Sequence, residues 1–503
     1  MTKTLEKAEF GDFQTPHPLA LDVCQLLASQ GLRAASIVEP TCGKGAFLSA
    51  ALRSFPDAAA WGFDVNAAYI SNCRQAVANY PRCTVGVADF FQTDWQTILA
   101  GMAEPILAVG NPPWVTNSAL GSLGSSNLPT KSNFQGHKGF DAMTGKSNFD
   151  ISEWMLLRFM EWLDGRDAVV AMLCKTVVAR KVLQDAWKHG RQIRRAEIHR
   201  IDAAAHFNAA VDACLLCCYL QPDERSTDCQ VYESLSGSSH QTFGYHDGRL
   251  VADLDAYRQR RNLLGKSAYR WRSGVKHDCS KVMELCETTA GLQNGFGEFV
   301  DLERDCLYPM LKSSELANGR TKQPRRWMIV TQQEIGQDTE ILKEQSPKTW
   351  QYLVAHAEYL DKRGSSIYRK RPRFSVFGVG GYSFAPWKIA ISGFYKSLKF
   401  VRLEPYQAMP LVLDDTAYLL ACNSLDEAEF LYGLLTSEPA QEFYSSLIFW
   451  DAKRPITTDL LAALNLDKLA SELNCHDEFI RYASDNPWTI KQPAAKVQPT
   501  LFS

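Results

Sequence analysis

Ile106-Leu107-Ala108-Val109-Gly110-Asn111-Pro112-Pro113-Trp114 decides the reading of this chain. The apolar run predicts a buried strand, and the two prolines end it because they cannot donate into a central ladder. Asn111 is thereby left at the carboxyl end of a strand, where open parallel sheets bind their ligands. An amide side chain there, with rigid carbonyls beside it and an aromatic face, suits a planar base bearing an exocyclic amine. The same four residues could equally end a strand whose tryptophan only packs into the core, so the neighbouring segments have to decide.

Upstream, residues 34–38 read as a strand running into Glu39-Pro40-Thr41-Cys42-Gly43-Lys44-Gly45-Ala46-Phe47 and then a helix through Leu52. Strand, glycine turn and helix open a doubly wound nucleotide-binding sheet, in which glycines let the backbone approach a ligand and the helix start offers free N–H groups. The glycine spacing is neither the dinucleotide fingerprint nor a phosphate loop. An acidic residue entering a short G-x-G turn suits a cofactor with a positive amino-acid end, as S-adenosylmethionine (SAM) has. Residues 59–65 predict a second strand. Its Asp64 lies 25 positions after Glu39, near where such folds place a carboxylate on ribose hydroxyls. A third strand, 84–88, ends in Asp89-Phe90-Phe91, a carboxylate for an adenine amino group with a ring to cover the base. Before all of these, Phe13-Gln14-Thr15-Pro16 precedes an amphipathic helix at about 19–29, with Thr15 as its expected cap.

The length of 503 residues predicts two domains, and a hydrophobic share of 46% with 22% charged residues describes an ordinary globular chain. No apolar run reaches the length of a membrane span, and residues 1–10 carry charges where a signal peptide needs an apolar core; a cytoplasmic protein is expected. Among 14 cysteines, Cys214, Cys217 and Cys218 cluster in the apolar run 213–220 with no matching ligand pair, which predicts a buried strand of reduced thiols and not a zinc site. A net charge of −2 means that any nucleic acid must be met by local basic surface.

The ordered set of Phe13-Gln14-Thr15-Pro16, Glu39 to Gly45, Asp64, Asp89-Phe90 and Asn111-Pro112-Pro113-Trp114 resembles the motifs of class I SAM-dependent amino-methyltransferases. Their order, with a long carboxyl-terminal region, resembles the γ class of bacterial DNA adenine-N6 methyltransferases of restriction–modification systems. The resemblance covers roughly residues 10–220. It implies an α/β fold: a Rossmann-like, mostly parallel seven-stranded sheet followed by a mixed α/β target-recognition domain. It implies SAM held by Thr15, Glu39, Pro40, Cys42, Gly43, Gly45, Phe47, Asp64, Asp89 and Phe90, with Asn111 at the edge of that site and S-adenosylhomocysteine as product. The catalytic segment is then Asn111, Pro112, Pro113 and Trp114. Phe207, before the strand at 213–220, matches the aromatic residue that packs against the flipped adenine in the family. No metal is required.

Residues 115–148 form a long stretch rich in Gly, Ser, Asn and Lys. Its Lys131, Lys138 and Lys146 could meet phosphates, although an insertion of this kind can also be a plain solvated loop. The alternation continues through a helix at 150–163, a strand at 168–173 and a helix at 177–187. Closing strands at 198–202 and 213–220 follow, and then a polar hairpin turning at His246-Asp247-Gly248. The domain boundary is expected near residue 260, giving a catalytic domain of 1–260 and a recognition domain of 261–503. In the latter, Lys322 to Trp327 and the run Arg369, Lys370, Arg371 and Arg373 with Tyr368 and Phe374 interleave cations and rings, as a DNA groove requires.

Double-stranded DNA is the partner this implies, and the resemblance admits a separate cognate restriction endonuclease acting on the same site; a monomer is expected. Cytosine-C5 chemistry is disfavoured because the sequence has no Pro-Cys pair. Cytosine-N4 methylation shares the mechanism, but its enzymes more often carry Ser or Asp at the position of Asn111. RNA-base and protein-glutamine methyltransferases also carry Asn-Pro-Pro-aromatic, generally without a large recognition domain. Fused restriction enzymes usually place the nuclease before the methyltransferase, and the dozen residues before Phe13 leave no room for one there, so a fused enzyme is not expected.

Overall fold

The computed structural model describes residues 14–115 and 150–490, and the chain divides into two compact units between Leu254 and Asp255. The first unit contains β1 (Ser36–Glu39), β2 (Ala59–Asp64), β3 (Cys83–Val87), β4 (Ile106–Gly110), β5 (Ala168–Lys175), β6 (Ile193–Ile201) and β7 (Ala213–Leu220). Across the sheet they run β6-β7-β5-β4-β1-β2-β3. β1 to β5 pair in parallel, and β7 is antiparallel to both β5 and β6. This is the class I methyltransferase arrangement.

The sheet is larger than the expected seven strands. β8 (Asp228–Tyr232), β9 (Ser239–His246) and β10 (Arg249–Val251) extend it to ten. β8 runs parallel to β6, with Ala196 opposite Cys229, and so covers an edge that would otherwise expose unpaired N–H and C=O groups. β9 and β10 form the hairpin expected at His246-Asp247-Gly248, whereas β8 was hidden in the polar stretch because only its alternate positions are buried.

β1 and β4 bury every residue, as strands covered on both faces do. They lie side by side, and the chain order departs from them in opposite directions. That is the switch point of a doubly wound sheet, where a crevice opens beyond the strand ends. Helix α1 (His17–Ser29) buries Leu19, Ala20, Val23, Cys24 and Leu27 on one helical face. It packs with α2 (Ala46–Ser54) into a core shared with Ile37, Leu107, Val109 and Leu173. Pro16, not Thr15, is the N-cap of α1, and no side chain caps that end; the helix begins earlier than the sequence pattern indicated because Pro18 fits its first turn. Cys214, Cys217 and Cys218 are buried on β7, and among the described residues no His, Cys, Asp and Glu group could hold a metal ion.

In the second unit, a four-stranded antiparallel sheet contains Trp387–Ser392 and Ala417–Cys422. A six-stranded sheet is built around Glu284–Thr288, Leu307–Leu311 and Arg326–Ile329. Helices including Leu425–Thr436 and Glu438–Leu447 follow. No helix among the described residues is long and apolar enough to cross a membrane.

Candidate active site

β1 ends in Glu39, and the chain turns through Gly43 and Gly45 into α2. Gly45 has φ +88, and a Cβ built on it would lie 2.7 Å from the Cys73 Sγ. Only glycine meets both demands at this turn. Gly45→Ala is therefore expected to destabilise the protein by about 1–2 kcal/mol through the left-handed backbone alone, with the Cys73 contact added. Urea denaturation checks this, and a second Cys73→Ala change should relieve the contact but not the backbone cost. Gly43, at φ +51, faces Gln14, whose Oε1 would lie 3.0 Å from an added Cβ. Gln14 is thus folded onto the glycine turn.

Asp64, at the end of β2, accepts hydrogen bonds from the Gly43 N–H at 2.9 Å and the Asn66 N–H at 2.8 Å. It ties the glycine turn to the neighbouring strand, a role its position in the sequence does not disclose. The neighbouring Cys73 thiol, and then burial, hold the Cys42 pKa well above the ordinary thiol range. Phe47 and Pro40 are buried in the core beneath the turn.

Glu39 is only 2% exposed. Burial above all, then the nearby Cys73 and Asp64, raises its carboxyl well above the usual carboxylate range, against a hydrogen bond from the Leu48 N–H. Its Oε2 and the Thr41 Oγ1 are buried with no hydrogen-bond partner among the described residues. Across the switch point, a Cβ on Gly110 would lie 3.4 Å from the Glu39 Cγ. The residue before Asn111 thus meets the start of the glycine turn.

Pro112 and Trp114 are buried, whereas Asn111 and Pro113 are partly exposed. Trp114 is 5% exposed, and its Nε1 donates to the Leu173 carbonyl at 3.3 Å. Its ring meets that of Phe207 edge-on, with centroids 5.2 Å apart. The two aromatic residues expected around a base are therefore brought together, but both are packed into the core in this conformation and present no open face.

Phe90, expected to cover an adenine ring, lies in a ring cluster in this conformation. It is buried against Trp95 at 5.1 Å, Trp154 at 5.8 Å, and Phe159 and Trp162 at 6.0 Å each. An aromatic layer holds it because the helix Ile151–Trp162 lays its rings over the end of β3. Asp89 is half-buried; its oxygens accept from the Phe91 N–H and from Gln92 Nε2, each at 2.9 Å, and so shape the turn after β3. Thr15 is partly exposed beside Gln14. Phe13, Lys131, Lys138 and Lys146 lie outside the described residues.

In the second unit, Arg369, Lys370, Arg371 and Arg373 are exposed. Arg373 differs from the reading of a ready phosphate contact: its Nη2 is 2.7 Å from Asp361 Oδ2, which offsets its charge. Trp327 is buried in the core and cannot stack on a base from this position. Arg363, over the ring of Tyr368 at 3.7 Å, donates to the carbonyls of His277 and Ser375 and pins the segment that carries the exposed cations. Lys175 and Asp150 are a further pair beside Trp114 that no sequence motif singles out. The one available signal is a lysine ending an otherwise apolar strand.

No protein-family model matches the chain. It is 44% identical over 468 residues to the Type II methyltransferase M.NspV of Nostoc sp. (strain ATCC 29411 / PCC 7524), a span covering 92% of this chain and 98% of that protein. Among solved structures, the Type IIL restriction–modification enzyme MmeI, determined in complex with DNA, overlays with a TM-score of 0.50 at 12% identity. That overlay takes in 93% of this chain and 68% of the MmeI chain. At that identity the overlay speaks to the fold.

Proposed function

The chain belongs to the Type II methyltransferases, and from that premise we propose that it methylates the exocyclic N6 amine of an adenine rotated out of double-stranded DNA. SAM is the methyl donor in this reading, and the protein serves as the modification enzyme of a restriction–modification system. One observation carries it: the sheet's switch point brings the Glu39 glycine turn and Asn111-Pro112-Pro113-Trp114 together.

The residues present fit SAM. Glu39 Oε2 and Thr41 Oγ1 are buried acceptors with no partner among the described residues, and the carboxylate suits an ammonium group. Bound SAM supplies a methyl group on a sulfonium, ready for direct displacement. The chain's own residues then need only hold and orient the amine. Its lone pair is delocalised into the ring, so acceptors that draw the amino group out of plane serve better than a strong base. The Asn111 side-chain carbonyl and the Pro112 backbone carbonyl would be those acceptors, holding the amine in position for transfer. Rotating the base out of the duplex costs a few kcal/mol. Stacking against Trp114 and Phe207 would offset roughly 1–3 kcal/mol per ring, after the two rings part from their mutual contact.

The second unit is the DNA-recognition domain in this reading. Lys370→Ala and Arg371→Ala are each expected to weaken duplex binding for all sequences alike and to lower its salt slope by about 1. Arg373→Ala should lower it less, because Asp361 already pairs with that guanidinium. Fluorescence anisotropy across a salt series measures the slopes.

The function itself is tested with methyl-labelled SAM and unmethylated bacterial DNA, followed by digestion to nucleosides. Label in N6-methyladenine is expected. Label in N4-methylcytosine would change the base and keep the mechanism. Unlabelled DNA with SAM still bound would overturn the proposal.

A further inference from the structure

A chain leaving a strand through two prolines has no ladder partner to hold it, yet the chemistry proposed above needs Asn111 and Pro112 held still. The carboxyl end of β5 supplies the hold. Leu173 accepts from the Trp114 indole at 3.3 Å, and two residues on, Lys175 Nζ donates to the Trp114 backbone carbonyl at 3.0 Å. The same ammonium group lies 2.6 Å from Asp150 Oδ2. Asp150 Oδ1 accepts from the Ser152 N–H at 3.1 Å and from its hydroxyl at 2.5 Å, capping the helix Ile151–Trp162. Ile151 N–H donates to the Val115 carbonyl at 2.9 Å. Lys175 therefore joins three parts: the end of a central strand, the last peptide of the tetrapeptide and the start of a helix.

The pair is shielded, with side-chain exposures of 22% for Lys175 and 8% for Asp150. It is unlike the open surface pairs that contribute little, and removing either partner leaves a charge facing protein. Prolines have a fixed φ, so Pro112 and Pro113 carry a displacement of the Trp114 peptide back to the Pro112 carbonyl and Asn111 with little absorbed between.

We infer that Lys175 is a positioning residue for methyl transfer, acting with Asp150 on the Trp114 carbonyl to hold the two acceptors of the amine in line. The inference rests on the function proposed above. A corner brace that only stabilises the fold would be lost with equal effects on melting, cofactor binding and turnover; a positioning residue separates them.

The test uses the full-length chain as wild type, Lys175→Met, Lys175→Arg and Asp150→Asn. Turnover is measured with labelled SAM on unmethylated DNA, SAM binding by calorimetry, and local opening by amide exchange at Ile151. Lys175→Met is expected to lower kcat by about 10–100-fold, as a small misplacement of reacting groups does. KM for DNA and the dissociation constant for SAM should stay within about twofold, and exchange at Ile151 should rise. Lys175→Arg should recover most of the turnover, and Asp150→Asn, which keeps an acceptor for Ser152, should fall between. If Lys175→Met does not fold, Asp150→Asn must show the same split. Unchanged kcat, or a joint fall of kcat, SAM affinity and melting temperature that arginine does not rescue, overturns the inference. Exchange needs no methyl acceptor, so unchanged protection at Ile151 in the variants overturns it even if wild type leaves DNA unlabelled. That last result would separately remove the proposed function.

Discussion

Asn111→Ala should lower kcat by on the order of 10²–10³-fold, the loss seen when one oriented polar group is removed from the reacting atoms, while SAM binding changes by no more than a few-fold. The physical reason lies in what the amine needs. Its lone pair becomes available only when acceptors turn the N–H bonds out of the ring plane. Asn111 offers a side-chain oxygen for this at the end of β4, whose strand is fully buried and locked in register with β5, Gly110 opposite Met172. Alanine removes the acceptor and leaves that strand intact, so the backbone should stay in place. Asn111→Asp keeps one acceptor oxygen and should lose less. Single-turnover transfer to DNA with calorimetric SAM titration separates the two effects. If Asn111→Ala still methylates at the wild-type rate, the catalytic assignment is wrong.

The second large effect concerns Glu39 and has opposite signs with and without cofactor. Burial raises its folded-state pKa well above the unfolded value, which is about 4.3 for glutamate. The folded chain therefore holds a proton that the unfolded chain releases, so the cofactor-free protein loses stability as pH rises from that range through the folded value. Glu39→Gln has the same shape and no charge. It should melt at a higher temperature than wild type without cofactor, with the advantage growing as pH rises above about 4.3 and fading below it. With SAM present the order reverses. A hydrogen bond to a charged group contributes about 1.5–3 kcal/mol, so the variant should bind SAM roughly ten- to a hundredfold more weakly. Melting curves across pH, with and without cofactor, read both signs. A variant that matches wild type in both would show that Glu39 neither holds the cofactor nor carries a cost.

Elements written in local rules are legible from the residues alone. Two prolines after an apolar run end a strand wherever it lies, and a left-handed turn needs its glycines, so β4, the turn at Gly43 and Gly45, and the cysteine-rich β7 lie where their residues indicate. Strand-ending acids are equally plain at Glu39, Asp64 and Asp89. Of the three added strands, the β9–β10 hairpin shows in its turn residues, but β8 does not, because it is short, only alternately buried and ordered by pairing with β6 and β9.

Side-chain destinations lie beyond that reading. Asp64 turns its oxygens to backbone N–H groups and Asp89 to the Phe91 N–H and the Gln92 side-chain amide, and Phe90 vanishes into a ring cluster contributed largely by a later helix. The two rings expected to meet a base, Trp114 and Phe207, close on each other. Lys175 reaches a carbonyl 61 positions earlier.

By itself the sequence determined the order of strands and turns, the residue types at each strand end and hence the family of chemistry, because φ restrictions and apolar periodicity act over a few residues. Only the tertiary structure decided which polar atoms are already satisfied, that the Glu39 carboxyl is buried at the glycine turn, and which cation reaches the Trp114 carbonyl. Those are matters of distance between segments far apart in the chain, and folding alone sets them.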